Sequence, residues 1–294
     1  GRQSRIPSNT AWVWDGVEQK VTLELTYGSD VRAVRLRKDL MTPFKSRIVV
    51  VFVNAVKIYT FGSCPELLYQ AETASNPQGL CHVCQNPENP IIAFPGRRVG
   101  MVTLVTSPLT ASTTTAPPPH HVSAHQNQLV ALTMSADGEK LATASQRGTL
   151  VRVFDTRSCD LLYELRRGSN AAFITCIAFD HATAFTTRRL AVASDHGTLH
   201  VFFLDPLEKG TSCLLPQYFF STFSHVRFSL NTKFKVICAF SPSNPDTLIG
   251  EIKSDEKLLA SDGTYSKYNF TPNGVVTKEQ SINFLDFYDD ESDL

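Results

Sequence analysis

The 294-residue sequence has no excess of charge of either sign: 28 Lys and Arg stand against 28 Asp and Glu. That balance excludes a whole-surface attraction to nucleic acid or to an anionic membrane, so an anionic partner must be met by a local basic site. An N-terminal apolar stretch of the kind that opens a secretory signal is also missing. The longest apolar run, RIVVVFVNAVKIYTF at 47–61, is broken by Asn54 and Lys57 and is too short for a bilayer-spanning helix, so a soluble protein is expected. The seven cysteines (Cys64, Cys81, Cys84, Cys159, Cys176, Cys213 and Cys238) are odd in number and scattered, which predicts reduced intracellular thiols. No GxSxG, Walker A, HExxH or paired-carboxylate arrangement is present, so the expectation is no enzymatic activity and no cofactor. Cys81 and Cys84 have metal-ligand spacing, but no second CxxC or His pair completes a tetrahedral site, and no metal is expected. His120, His121 and His125 follow a Pro-rich stretch and are expected to be solvated.

Helical periodicity is nearly absent as well, and what replaces it is a run of short β-branched and aromatic segments separated by turn residues. These segments repeat. LATASQRGTLVRVFD at 141–155 and LAVASDHGTLHVFFL at 190–204 each read as strand, tight turn at glycine, strand; LLASDGTYSKYNF at 258–270 is a degenerate third copy. Shorter strands precede them, closed by clusters of Asp, Asn, Pro or Ser. Units of about 40–50 residues suit four-stranded blades arranged radially, so an all-β propeller is expected, with a β-sandwich as the alternative. About five and a half blades are visible in a single domain over 1–294. The opening half-blade WVWDGVEQKVTLELTY implies that an N-terminal portion is absent. An exposed Pro/Thr-rich loop is expected at 106–122 and a solvated acidic tail at 286–294.

One stretch stands out against the neutral background: LYELRRGSN, 162–170, which sets Arg166 beside Arg167 where a strand should end. Successive side chains of a strand point to opposite faces, so the two arginines must diverge, one towards the unit before and one towards the unit after. Gly168 then lets the chain turn or lets a ligand approach closely. The flanking repeats carry polar sets: Thr143, Ser145, Gly148, Thr149 and Arg152 in the earlier, Ser194, His196, Gly197, Thr198 and His200 in the later. Hydroxyls, a free backbone N–H at glycine and a cation suit a phosphate group, so two neighbouring phosphate sites are expected. The plainer alternative is that the doublet guards an exposed edge strand against pairing with another chain. Arg97 and Arg98 form a second doublet, but in a turn that lacks hydroxyl partners.

CLLPQYFFSTFSHVRFSL at 213–230 follows the second set. Leu215, Phe219 and Phe223 fall at i, i+4 and i+8, which fits an amphipathic helix or loop with an aromatic face; an ordinary outer strand is the alternative. Exposed beside two phosphate sites, such a face would anchor to a membrane.

LRRG at 165–168, between ATASQRGTLVR and VASDHGTLH, resembles the signature of the PROPPIN family, the WIPI proteins of autophagy. The Leu form is similar to that of the shorter WIPI paralogues, three and four. The resemblance implies a seven-bladed WD-repeat-like β-propeller whose first blade and part of the second are absent from this chain. It implies binding of phosphatidylinositol 3-phosphate or the 3,5-bisphosphate, one headgroup at Thr143, Ser145, Gly148, Thr149 and Arg152, the other at Ser194, Thr198 and His200. Arg166 and Arg167, with Gly168, would each serve one of them. Residues 205–230 then correspond to a membrane-inserting loop that would use Leu214, Leu215, Tyr218, Phe219, Phe220 and Phe223. By the same resemblance the protein is a monomeric cytoplasmic adaptor recruited to phagophore and endosomal or lysosomal membranes. Its implied partners are phosphoinositide-containing membranes, an autophagy lipid-transfer protein and other autophagy factors, not nucleic acid. The alternative is a WD-type protein-interaction scaffold without lipid binding. Two segments, 184–189 and 253–259, depart from the family pattern as insertions.

Overall fold

A computed structural model of the chain describes residues 7–37, 46–106, 118–180, 187–204, 222–230, 235–241, 247–253, 264–271 and 273–283. Every regular element among them is a strand, and the all-β expectation holds. The chain divides into two compact units, 1–126 and 127–294.

In the first unit β1 (Thr10–Asp15) and β2 (Lys20–Thr26) form a hairpin, followed by a sheet of β3 (Val31–Arg37), β4 (Arg47–Phe52), β5 (Ala55–Thr60) and β6 (Leu67–Glu72). A second four-stranded sheet contains β7 (His82–Val83), β8 (Ile91–Pro95), β9 (Met101–Thr106) and β10 (His120–Ser123). The interrupted apolar run explains itself here. All six residues of β4 are buried because the strand is covered on both faces. Ile48, Val50 and Phe52 meet Val13, Leu23 and Leu25 of the hairpin, while Val49 and Val51 meet Val83, Ile92 and Phe94 of the following sheet. Asn54 sits in the turn that leads into β5. The far end of the expected Pro/Thr-rich loop is itself a strand: β10 pairs with β9, and His121 Nδ1 lies 3.2 Å from Thr103 Oγ1, so His120 and His121 belong to a sheet edge rather than a flexible loop.

Among the described residues the second unit holds three sheets. β11 (Leu129–Met134), β12 (Lys140–Ser145), β13 (Leu150–Asp155) and β14 (Leu161–Arg166) form one; β15 (Ile174–Phe179), β16 (Arg189–Ser194) and β17 (Thr198–Phe203) begin the next. β18 (Thr222–Phe223) joins the first of these sheets, parallel to β14, and β19 (Val226–Ser229) closes the second on β17. β20 (Lys235–Phe240), β21 (Thr247–Lys253), β22 (Thr264–Phe270) and β23 (Val276–Asn283) make the third. The degenerate repeat differs from expectation, because the strand that pairs with β22 is 247–253 rather than LLAS at 258–261, which lies outside the described residues.

Apolar side chains alternate between two packing layers. Ala142, Ala144, Val151, Val153 and Leu165 of one sheet pack against Leu190, Val192, Phe202 and Leu204 of the next. Ala191, Ala193, Leu199 and Val201 turn the other way, onto Val236, Cys238 and Phe240. The β15–β17 sheet is therefore covered on both faces.

A candidate anion-binding site at two related hairpins

The β12–β13 and β16–β17 hairpins have the same turn. Gly148 N–H donates to Ser145 O at 2.8 Å and Gly197 N–H to Ser194 O at 3.1 Å, with both glycines at φ +62°. That left-handed backbone is what glycine is there to supply. At Gly148 a side chain would also collide with the chain, since a Cβ would stand 1.8 Å from Ala172 O. Neither glycine N–H is free for a ligand, which corrects one part of the expected phosphate-binding set.

The two hairpins then differ by one residue. Strand pairing resumes at Leu150 in the first and at Thr198, the equivalent of Thr149, in the second. Aligned by sequence, Arg152 falls on Val201 and His200 on Val151. In space the earlier pairing moves His200 into the row that Arg152 occupies: Thr143 lies opposite Arg152, and Val192 opposite His200. A shift of one residue exchanges the faces of a strand, so Arg152 and His200 end up on equivalent faces despite mismatched sequence positions.

The first row runs Thr143, Arg152, Glu164 across three strands. Thr143 is fully buried with its hydroxyl 3.4 Å from Arg152 O, and Ser145 and Thr149 are buried nearby in the turn. Arg152 is engaged by an acid the sequence reading did not weigh, Glu164, whose Oε2 accepts from Nε at 2.9 Å and lies 2.8 Å from Nη2. Glu164 is two residues before Arg166 and so shares its face; that alternation was the available signal.

The doublet divides as the strand requires. Arg166, opposite Leu150 and beside Phe223, belongs to the Arg152 and Glu164 face. Arg167 lies past the strand end and is 8% exposed, with Nε donating to Gly148 O at 2.7 Å and Nη2 to Asn170 O. Burial pushes its pKa down, Asp195 pulls it back up and Arg227 pushes it down again, so these three charges share one neighbourhood. Gly168 has open space around its α-carbon.

The second row runs Val192, His200, Arg227. Ser194 is fully buried and its Oγ is 2.9 Å from Thr198 Oγ1. His196 lies at the surface, 3.9 Å from Asp195, and is not part of the row. His200 is 1% exposed; Nδ1 lies 3.0 Å from Ser224 Oγ, while Nε2 is buried without a hydrogen-bond partner. Its pKa falls to about 4, first through burial and then through the positive charges of Arg167 and Arg227. A neutral imidazole with an orphaned nitrogen beside two guanidinium groups is a place where an anion would be welcome.

Of the membrane-insertion residues, Leu214, Leu215, Tyr218, Phe219 and Phe220 lie outside the described residues. Phe223 is 67% exposed, directly beside Arg166. From Val226 onward the expected loop is an ordinary outer strand, with Val226 buried. Elsewhere, Cys81 and Cys84 are buried and burial pushes the Cys81 thiol up to about 12, away from the thiolate a metal needs. No group of three or more metal-ligating side chains occurs among the described residues.

Comparison with known proteins fixes the family. The PROPPIN family profile matches residues 15–212. The chain belongs to the PROPPIN family. It is 36% identical to SVP1-like protein 2 of Pichia angusta over 253 residues, 79% of this chain and 65% of that protein. It is 42% identical to SVP1-like protein 2 of Emericella nidulans over 69% of this chain and 57% of that one. Autophagy-related protein 18e of Arabidopsis thaliana is 32% identical, covering 84% of this chain and 64% of its own length. The chain thus spans less than two thirds of each of these curated relatives. Among solved structures, Kluyveromyces lactis Hsv2 superposes with a TM-score of 0.72 at 20% identity, over 94% of this chain and 80% of that one. The complex of KlAtg21 with the coiled-coil of AgAtg16 gives 0.68 at 20% identity, over 94% and 78%. These likenesses make the fold that of a PROPPIN β-propeller.

Proposed function

We propose that this PROPPIN chain is a phosphoinositide-binding peripheral membrane adaptor of autophagosome formation, not an enzyme. It takes phosphatidylinositol 3-phosphate or the 3,5-bisphosphate in two pockets, one at the Thr143, Arg152 and Arg166 face and one at Ser194, Thr198, His200 and Arg167. The observation that carries this reading is the division of the doublet between two rows of equivalent facing, the second ending in an orphaned buried nitrogen. Family membership and the name of the Arabidopsis relative support the autophagy setting. Each basic residue at an anionic surface adds about 1 kcal/mol, and two pockets on one rigid sheet pair raise the effective affinity further. The exposed Phe223 beside Arg166 suits an apolar contact with the same membrane. The protein is then cytoplasmic and monomeric, recruited to phagophore and endosomal or lysosomal membranes, where it brings in autophagy factors, among them a lipid-transfer protein. The KlAtg21 complex supports a coiled coil as one class of partner.

Flotation with liposomes carrying the 3-phosphate, the 3,5-bisphosphate or unphosphorylated phosphatidylinositol tests this directly. The wild type should float with the first two, and the Arg166→Ala, Arg167→Ala double variant with none. Because Arg167 also braces the Gly148 turn, Arg166→Ala alone serves as the variant that keeps this brace and should weaken binding. Equal flotation on all three lipids, or undiminished binding by the double variant, would overturn the proposal and favour a scaffold that binds only proteins.

A further inference from the structure

The second pocket contains two residues that neither the repeat nor the family signature identifies, Ser224 and Arg227. Both follow segment 205–221 and return to β17 from its outer side. Arg227 lies opposite His200 on β19 and is exposed. Ser224 is partly buried and reaches Nδ1 of the same ring. The ring lies nearly parallel to that of Phe202, with planes 17° apart and centroids 6.4 Å apart. His200 therefore meets Ser224 with one nitrogen and presents the other, Nε2, unsatisfied and buried, near Arg167 and Arg227. A buried polar atom without a partner carries a desolvation penalty until something meets it.

A neutral imidazole has one N–H, and which nitrogen bears it is set by the partners of both. A serine hydroxyl can donate or accept, so Ser224 is compatible with either tautomer. Facing two guanidinium groups alone, the ring does best with its lone pair on Nε2 and its N–H donating to Ser224 Oγ. With an anion between the ring and the arginines the preference inverts: the proton belongs on Nε2, donating to the anion, and the Ser224 O–H donates to Nδ1. No net proton is gained or lost; one leaves Nδ1 and one arrives at Nε2. A side chain able only to donate or only to accept would oppose one of the two states.

We propose that Ser224 is a positioning residue that lets His200 turn Nε2 from acceptor to donor when a phosphomonoester dianion enters the second pocket, with Arg227 as the pocket's second cation beside Arg167. The inference rests on the phosphate-binding reading above and adds the chemistry of the ligand to it. Two guanidinium groups and an N–H match the charge and acceptor count of a monoester, which carries nearly two negative charges at neutral pH, better than the single charge of a phosphodiester.

The test is a titration of the full chain with soluble inositol 1,3-bisphosphate, with inorganic phosphate and with a simple dialkyl phosphate diester. Long-range nitrogen–proton NMR of the imidazole reads the pocket, the His200 signals being assigned by their loss in His200→Gln. The tautomer should change from Nδ1–H to Nε2–H as the headgroup binds, weakly with inorganic phosphate and not with the diester. Ser224→Ala should weaken the affinity read at His200 about fivefold and Ser224→Thr should restore it, since one hydrogen bond is worth about that factor. Arg227→Gln should weaken it about as much and lessen its dependence on salt. An unchanged tautomer on binding, or an affinity indifferent to Ser224→Ala, overturns the inference while leaving the pocket standing. A wild type that binds neither the soluble headgroup nor 3-phosphorylated liposomes brings down the phosphate reading and this inference with it.

Discussion

The two hairpins of the second unit share the run Ala-Ser-x-x-Gly-Thr-Leu and the same glycine turn, yet they present opposite electrostatic situations. In the first, Arg152 is met by Glu164 within its own row of strands, so the positive charge is compensated inside the protein. In the second the central residue is a neutral histidine, and the nearby charges are Arg167, Arg227 and Asp195. One row holds its cation already balanced; the other sets cations near an unpartnered ring nitrogen. The pairing shift after the turn puts His200 in the row, and the outer strand adds Glu164 to one row and Arg227 to the other. Repeats in a β-protein can therefore match in sequence while exchanging which side chains face a neighbour, and a motif carried from one copy to the next must be carried by row rather than by residue count.

The sharpest way to break the comparison is at the shared turn. Gly148→Ala adds a methyl group against Ala172 O in a left-handed backbone, so it should destabilise the chain by about 3–5 kcal/mol, seen as a lowered denaturant midpoint. A smaller effect separates the two rows by pH. His200 titrates near 6.5 when unfolded and at about 4 when folded, so between these values protons favour the unfolded chain. Stability should fall as pH drops through that window, by about 3 kcal/mol at its lower end, and His200→Gln should flatten the profile by that amount. His82, whose pKa burial also lowers to about 4, should add a similar slope that remains in the variant. In the first row, Glu164→Gln leaves Arg152 without its counter-charge in a half-buried place and should cost about 1–2 kcal/mol, more at low salt. The least effect belongs to Gly168→Ala, which meets open space and should stay within about 0.5 kcal/mol in thermal unfolding. A large loss there would mean that the end of the doublet needs a backbone freedom not evident in the turn.

Much of this was legible from residues alone. Alternation in β-branched runs predicts a protein made of strands, the glycines at 148 and 197 predict the turns, and period-two geometry predicts that Arg166 and Arg167 part company. The one-residue pairing shift was not legible, because a sequence alignment matches letters while hydrogen bonds match rows. Glu164 was readable in principle, being two residues from Arg166 on the same strand. Ser224 and Arg227 were not, since they arrive from beyond an intervening segment and acquire meaning only through their pairing with β17. In the third repeat, the strand that pairs with β22 comes from 247–253, upstream of the segment the repeat pattern matches.

The attachment of β18 has a mechanical side. β18 follows β17 in the chain, yet Thr222 and Phe223 lie along Leu165 and Arg166, on the sheet of the first hairpin rather than that of the second. A parallel seam only two residues long is weak as β-pairings go. The backbone amides of Thr222 and Phe223 should therefore be the first in their sheet to exchange hydrogen with solvent, which makes this seam, next to the doublet, a weak link of that sheet.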